Sequence, residues 1–321
     1  MICTVSLNPA LDKYLRLPEL RRGEPQEVVD VVTSAGGKAV NVSGVLRELG
    51  QDVVLIGFFG GYTGRYLLEE IAREGISVDP VHISQLTRTA FVVVEDQGVE
   101  TEIVEPGAPV TVRELDSLRA KLRHAAPQAD VVVLSGSVPA GCPDDIYRLL
   151  IADCGGHVPV LLDTSRAWLA AVAGAAAVPG CKPTLIKPNR REAEILLGRR
   201  LQQPEDFAAA LHQWEQGGIV TPTISDGAGG LYGLHAGRVL RAVPPEVRRV
   251  NSVGSGDAAV AGFAVGLARD LAVPECLRLA AACGTANVLT RECAQVHRSD
   301  VERLLPQVQL AEVTAGVQSP T

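Results

Sequence analysis

The chain has 321 residues, 46% hydrophobic and 21% charged, which fits a soluble globular protein with one large α/β core or two smaller ones. Its net charge of −7, with no long basic run, excludes a nucleic-acid surface, so any bound polyanion must meet a local group of cations. No apolar stretch reaches membrane length, and seven scattered cysteines and six histidines form neither a disulfide framework nor a metal-ligand pattern. The best membrane candidate, residues 168–178, is alanine-rich, short and broken by Gly174. Met1-Ile2-Cys3 runs directly into a strand with no charged leader, so a cytoplasmic protein is expected.

Residues 2–7 read as a buried parallel strand, with Asn8-Pro9-Ala10-Leu11-Asp12 at its carboxyl end. Ligands of open α/β sheets bind at that edge, so Asp12 is either a hydroxyl acceptor or a turn aspartate. Residues 13–33 and 88–105 break the alternation and read as about four short strands around polar turns. They form either a lid sheet over the ligand edge or a pair of edge hairpins. Between them, Gly36-Gly37-Lys38-Ala39-Val40-Asn41 opens a helix to Leu49. A Gly-Gly pair there allows close approach by a ligand, and Lys38 adds a cation, yet the spacing is not that of a Walker A loop. Residues 52–59 are the next strand, 60–64 its loop and 66–74 the helix after it.

From Ala108 onward helices and continuous apolar strands alternate: a helix at 112–124, strand 130–134 with edge loop Ser135-Gly136-Ser137, a helix at 143–152, and strand 158–162 ending in Asp163. This pattern predicts a doubly wound, mostly parallel central sheet with helices on both faces. Thr184-Leu185-Ile186-Lys187-Pro188-Asn189 leads into another helix whose Asn189 and Glu192 face one side. That pair suits a water or Mg²⁺ anchor, and equally a capping box. Strand 218–224 ends in Ser225-Asp226-Gly227-Ala228-Gly229-Gly230, and strands follow around Leu231 and Val239. A helix over 274–289 carries Asn287, and a last short one spans 300–305.

Ahead of that pair lies Val253-Gly254-Ser255-Gly256-Asp257, opening a helix of small residues over 258–267. Gly254 and Gly256 bring bare backbone N–H groups to an anion, with the helix dipole aimed at the same point. Asp257 is either a helix cap or the base that takes a proton from a hydroxyl attacking phosphorus. A dinucleotide fingerprint is excluded, because this stretch lies late in the chain with mainly helix after it.

Taken in order, these loops resemble those of the ribokinase-like carbohydrate kinases, the family that includes the minor phosphofructokinases. The likeness spans about residues 2–305. Thr87-Arg88-Thr89, Thr101-Glu102-Ile103-Val104-Glu105-Pro106-Gly107 and Ser135-Gly136-Ser137-Val138-Pro139-Ala140-Gly141 are most similar to the branch of 1-phosphofructokinase and tagatose-6-phosphate kinase. The resemblance implies one kinase domain over residues 1–310, a lid from 13–33 and 88–105, and a disordered tail at 311–321.

It also implies roles. Asp257 is the base, with Gly254, Ser255 and Gly256 supplying the anion hole. Asp12, Gly37, Lys38, Asn41, Arg88 and Ser137 bind the sugar phosphate. Lys187, Asn189, Ser225, Gly227, Gly230 and Asn287 bind ATP, with Asn287 by the adenine, and Glu192 and Asn189 place Mg²⁺ through water. The implied reaction phosphorylates the free primary hydroxyl of fructose 1-phosphate or tagatose 6-phosphate. A kinase for fructose 6-phosphate, a free sugar or a nucleoside, and a non-catalytic binding regulator, are the alternatives. A homodimer joined through the lid strands is expected, since unpaired edges are stabilised by pairing. Ala39, Val104, Ala258 and Gln26-Glu27 depart from the family pattern, the last pair removing a phosphate contact on the first lid strand.

Overall fold

The computed structural model describes residues 1–173 and 182–313. Its first half runs β1 (Ile2–Ser6), β2 (Ala10–Leu17), β3 (Asp30–Gly36), α1 (Lys38–Glu48), β4 (Val53–Gly60), α2 (Gly61–Arg73), β5 (Ser77–Ile83), β6 (Arg88–Glu95), β7 (Glu100–Val104) and α3 (Val112–Ala125). Then come β8 (Val131–Ser135), α4 (Ile146–Asp153), β9 (Val160–Asp163), α5 (Arg166–Ala173), β10 (Leu185–Ile186), α6 (Arg190–Leu197), α7 (Pro204–Gln216) and β11 (Thr221–Ser225). The chain closes with β12 (Leu231–His235), β13 (Arg238–Val243), α8 (Ser255–Ala268), α9 (Val273–Val288), α10 (Arg298–Leu304) and β14 (Gln309–Glu312).

Ten strands form one sheet in the order β14-β13-β12-β11-β10-β9-β8-β1-β4-β5. Neighbours from β5 through β11 are parallel, and β12, β13 and β14 continue antiparallel. The central parallel strands β1 and β8 are buried at every residue because both faces are covered, while the edge strand β5 is partly exposed. Helices α1, α2, α8, α9 and α10 pack on one face, and α3, α4, α5 and α7 on the other. The predicted doubly wound architecture is therefore the observed one.

Small residues set the tightest contact, between α8 and α9. A Cβ added at Gly262 would lie 2.7 Å from Ala280 Cα, so only glycine lets these backbones meet. Phe263 and Leu277, 1% and 0% exposed, close the layer beneath, and burying such a side chain contributes about 2 kcal/mol. Helix α3 starts at the Thr111–Glu114 capping box, whose loss costs about 1 kcal/mol.

The second sheet, β3-β2-β6-β7, is the expected lid, but it is mixed: β2 and β6 run parallel while the outer pairs are antiparallel. Two expected boundaries move. The loop placed at 60–64 is the first turn of α2, because Gly61 sits at the helix start with φ 63° and no side chain to oppose it. The tail placed from 311 begins inside β14, where Ala311 pairs with Arg241 and Leu310 with Ala242. Residues 174–178 of the alanine-rich stretch, and Cys181, lie outside the described residues.

Candidate active site

Every parallel strand delivers its following loop to one edge, and four of those loops carry charge chemistry. Asn8 follows β1, Ser137 follows β8, Asp163 ends β9 and Lys187 follows β10. The amino termini of α1 and α8 point at the same edge, bringing in Lys38, Asn41 and Asp257.

Asp257 lies in the first turn of α8 and is 6% exposed. Asn41 Nδ2 donates to Asp257 Oδ2 at 2.8 Å, joining residues far apart in sequence. Burial is the main force that pushes the Asp257 carboxyl up to about 6; Lys38 opposes it, Asp163 adds to it, and the Asn41 bond and Lys187 also oppose it. A carboxylate poised there is ionised at neutral pH and still accepts a proton, as a general base requires. The expected consequence is a kcat/KM that rises through about pH 6 and is flat by about pH 7.5, read from initial rates at low acceptor concentration across pH. A flat profile down to pH 5 would remove Asp257 from that role.

The start of α8 is shaped by glycine. Gly254 caps α8 with φ 82°, a left-handed conformation costing other residues about 1–2 kcal/mol, and a Cβ there would also overlap the Ala294 backbone. The Ser255 N–H is turned to the Ser252 carbonyl at 3.3 Å, and the first-turn N–H groups of Gly256 and Asp257 have no partner within the helix and could meet an anion. A Cβ on Gly256 would stand 3.4 Å from Lys187 Nζ, so the ammonium lies beside that turn. Gly37, with φ 94°, similarly lets the start of α1 press on the Asn8-Pro9 backbone.

Asp163 was not singled out from the sequence, yet it organises the cations. It is 1% exposed; Lys38 Nζ donates to its Oδ2 at 3.0 Å, and Lys187 Nζ stands 3.5 Å from Oδ1. Burial works against its charge, but Lys187 and Lys38 hold its carboxyl below the usual range. For Lys38, burial is again the opposing force, and Asp163, Asp257 and Glu192 together raise its pKa. The signal available was the one used for Asp12: an acidic residue closing a buried apolar strand at the ligand edge.

A second polar group is built from β2, β6 and the loops after β1 and β8. Arg88 Nη2 donates to the Asn8 carbonyl at 3.2 Å, and Asn8 Nδ2 donates to Ser137 Oγ at 3.0 Å. Among the described residues Arg88 Nε is buried without a hydrogen-bond partner. Asp12 lies over Gly36, where any Cβ would overlap its carboxylate. Burial pushes Asp12 up to about 7, while Arg88 opposes this and Glu102 and Asp257 add to it.

At the start of α6 Asn189 and Glu192 form the capping box: Glu192 N donates to Asn189 Oδ1 and Asn189 N to Glu192 Oε2, both at 2.9 Å. Ser225 joins them through a parallel bridge to Asn189, and Gly230 packs its backbone against the Ala242 carbonyl. Gly227 opens the short turn between them. Asn287 is 0% exposed, its Nδ2 donating to the Val253 carbonyl and to Ser255 Oγ, both at 2.9 Å, while its Oδ1 is buried without a partner among the described residues. It braces the loop that precedes α8.

Mg²⁺ usually keeps several waters and binds one or two carboxylates plus substrate phosphates, so a dedicated protein cage is not needed. Among the described residues no group of three or more His, Cys, Asp or Glu is placed to hold a metal. Glu192 fits the lighter requirement, since only one of its oxygens is engaged by the cap and its charge reaches Lys38.

The profile of the pfkB family carbohydrate kinases matches residues 6–299. Escherichia coli phosphofructokinase-2 in complex with fructose-6-phosphate is similar at 26% identity, covering 96% of this chain and 98% of that one, with a TM-score of 0.85. Its tetrameric inhibited form is similar at 27% identity, covering 95% and 98%, with a TM-score of 0.86. A possible 1-phosphofructokinase from Thermotoga maritima shares the fold at 22% identity, covering 98% and 99%, with a TM-score of 0.82.

Proposed function

The chain belongs to the pfkB family of carbohydrate kinases, and on that premise we propose that its acceptor is a ketohexose monophosphate. Kinases of this family use ATP; here the γ-phosphoryl group passes to the free primary hydroxyl of fructose 1-phosphate or tagatose 6-phosphate, giving a 1,6-bisphosphate. The observation that carries this reading is the buried Asp257 held by Asn41 beside Lys38 and Lys187. Asp257 takes the hydroxyl proton as the oxygen attacks phosphorus and the bond to the ADP oxygen breaks. The α8 amides and Lys187 stabilise the charge on the transferring group's oxygens. Lys187, Ser225, Gly227 and Gly230 hold the nucleotide phosphates. Glu192 and Asn189 would hold Mg²⁺, which would supply charge neutralisation for the phosphates.

A phosphorylated acceptor is supported by Arg88, whose unpartnered buried Nε invites an anion, with Ser137 and Lys38 nearby. The fructose-6-phosphate complex of the similar E. coli protein favours a second acceptor, fructose 6-phosphate. The deciding test is ADP release with Mg²⁺-ATP on fructose 1-phosphate, tagatose 6-phosphate, fructose 6-phosphate, free fructose, ribose and adenosine. Turnover confined to free sugars or adenosine rejects the phosphosugar class. Silence on all six, with ATP bound, favours the regulator. Arg88→Ala is expected to raise KM for the phosphosugar about 30-fold with KM for ATP little changed, since a charge-assisted contact is worth about 2 kcal/mol.

The lid also supports the homodimer. In its register Leu15 lies opposite Val31, and Phe91 opposite Ile103, on the side away from Asp12. Val31 and Ile103 are 47% and 57% exposed, an apolar face suited to a second copy of the same sheet. Light scattering should give twice the 33.8 kDa chain mass, falling to one chain in Val31→Lys/Ile103→Lys. A monomeric native chain at micromolar concentration would end the idea.

A further inference from the structure

Asn41 has two amide hydrogens, and only one is used on Asp257. The other faces a sulfur: Asn41 Nδ2 donates to Cys293 Sγ at 3.7 Å. Cys293 stands on the loop between α9 and α10, which is rigidly placed. The Thr290 hydroxyl lies 2.8 Å from the Asn287 carbonyl, 3.2 Å from that of Glu292 and 3.1 Å from that of Gln295. The neighbouring Ala294 donates its N–H to the Val253 carbonyl at 3.4 Å, so the same loop backs the start of α8.

The thiol is also reached from the lid. Tyr14, on β2 two residues after Asp12 and on the same sheet face, is electrostatically coupled to Cys293, each shifting the other's pKa. Burial, then the Asp257 carboxylate, pushes the Cys293 thiol up to about 12, with Tyr14 opposing and Asp12 and Glu102 adding. It therefore stays neutral, and accepts from Asn41 without placing another anion beside the base. Burial also raises the Tyr14 pKa, so it remains a hydroxyl able to donate.

We propose that Tyr14 and Cys293 are positioning residues for the catalytic base: together they fix the rotation of the Asn41 amide, so that one N–H stays on Asp257 Oδ2. The lid strand that carries Asp12 is thereby keyed to the residue that takes the acceptor's proton. The groups facing Asp257 are Lys38 and Asn41 from α1, Asp163 from β9, Lys187 after β10, Cys293 from the α9–α10 loop and Asp12 from β2. Of these, Asn41 is held in place by Cys293. An Asn41 amide free to rotate withdraws a donor that favours the charged carboxylate, so the proton is held more tightly.

This inference rests on Asp257 acting as base, and two readouts separate it from that reading. The first is the pH dependence of kcat/KM in Cys293→Ala, Tyr14→Phe and Cys293→Ser, on whichever acceptor turns over. The second is carbon-13 titration of the Asp257 carboxyl without substrate, its signal identified by its loss in Asp257→Asn. The alanine and phenylalanine variants should move both midpoints upward by about half a pH unit, lowering kcat/KM at pH 6 about twofold with little change above pH 8. Cys293→Ser, which restores a neutral acceptor, should return both to the native position. Unmoved midpoints in the alanine variant, or a serine variant displaced as far as alanine, overturn the proposal. If no acceptor turns over, the kinase reading falls, while the carboxyl titration still decides this one.

Discussion

Asp257→Asn is expected to lower kcat about a thousandfold, within the range a positioned base contributes, while the dissociation constant for ATP changes less than about threefold. The asparagine keeps the shape of the side chain, and its Oδ1 still accepts from Asn41, so what is lost is the site for the proton. The fold should not suffer. At neutral pH the native carboxylate is ionised against a burial penalty, because its folded pKa stands above the unfolded one. A group raised in this way costs stability above that range, so the neutral amide should melt at or above the native temperature. Single-turnover rates, calorimetric ATP binding and thermal melts on the same preparation check all three. A variant keeping more than about a tenth of native kcat would show that proton removal is not what Asp257 supplies.

What could be read from the sequence follows from which interactions are local. Residues 2–7 and 131–134 announce buried parallel strands by their short, mainly apolar and β-branched runs, and 112–124 announces a helix by its periodicity. Loops with glycine at a strand end pointed to the right edge, because close approach to backbone leaves a local mark. The edge pairing in β14 was missed, since the Gln309–Glu312 strand is exposed at every residue and carries no apolar signal. The start of α2 was missed for a related reason: Gly60-Gly61 reads as a loop until tertiary packing stabilises the turn.

The site divides in the same way. Lys38 and Asn41 could be nominated from their helix start, and Asp257 from its glycines, but nothing local tells that Asn41 reaches Asp257. Asn189 and Glu192 illustrate the opposite case, where spacing gave two readings and the capping box is formed without excluding a metal-side role. Asn287 was carried over from a resemblance, and its burial under the Val253–Ser255 loop depends on how α8 and α9 pack. Cys293 and Tyr14 acquire meaning only through contacts across the whole length of the chain.

Asp163→Asn is expected to destabilise the fold by about 3–5 kcal/mol, because removing one partner from a buried ionic group leaves the others uncompensated. Lys38 and Lys187 converge on this carboxylate at 3.0 Å and 3.5 Å, and Lys187 is itself 3% exposed. The melting temperature should fall about 6–10 °C at neutral pH. Asp163 has a folded pKa below its unfolded value, so its contribution is fully present above the unfolded pKa. It is lost as pH falls through the folded pKa, and the gap between variant and native chain should narrow in acid. The shift in the pH midpoint runs opposite to that of the Cys293 variants. Asp163 raises the Asp257 pKa while both lysines lower it, so neutralising Asp163 leaves the base easier to ionise. The acid limb of kcat/KM should move below pH 6 even as the plateau drops, because Lys187 loses the anchor that keeps it beside Gly256. A melt within about 2 °C of native, or a limb displaced upward, would show that the two lysines are held by something other than Asp163.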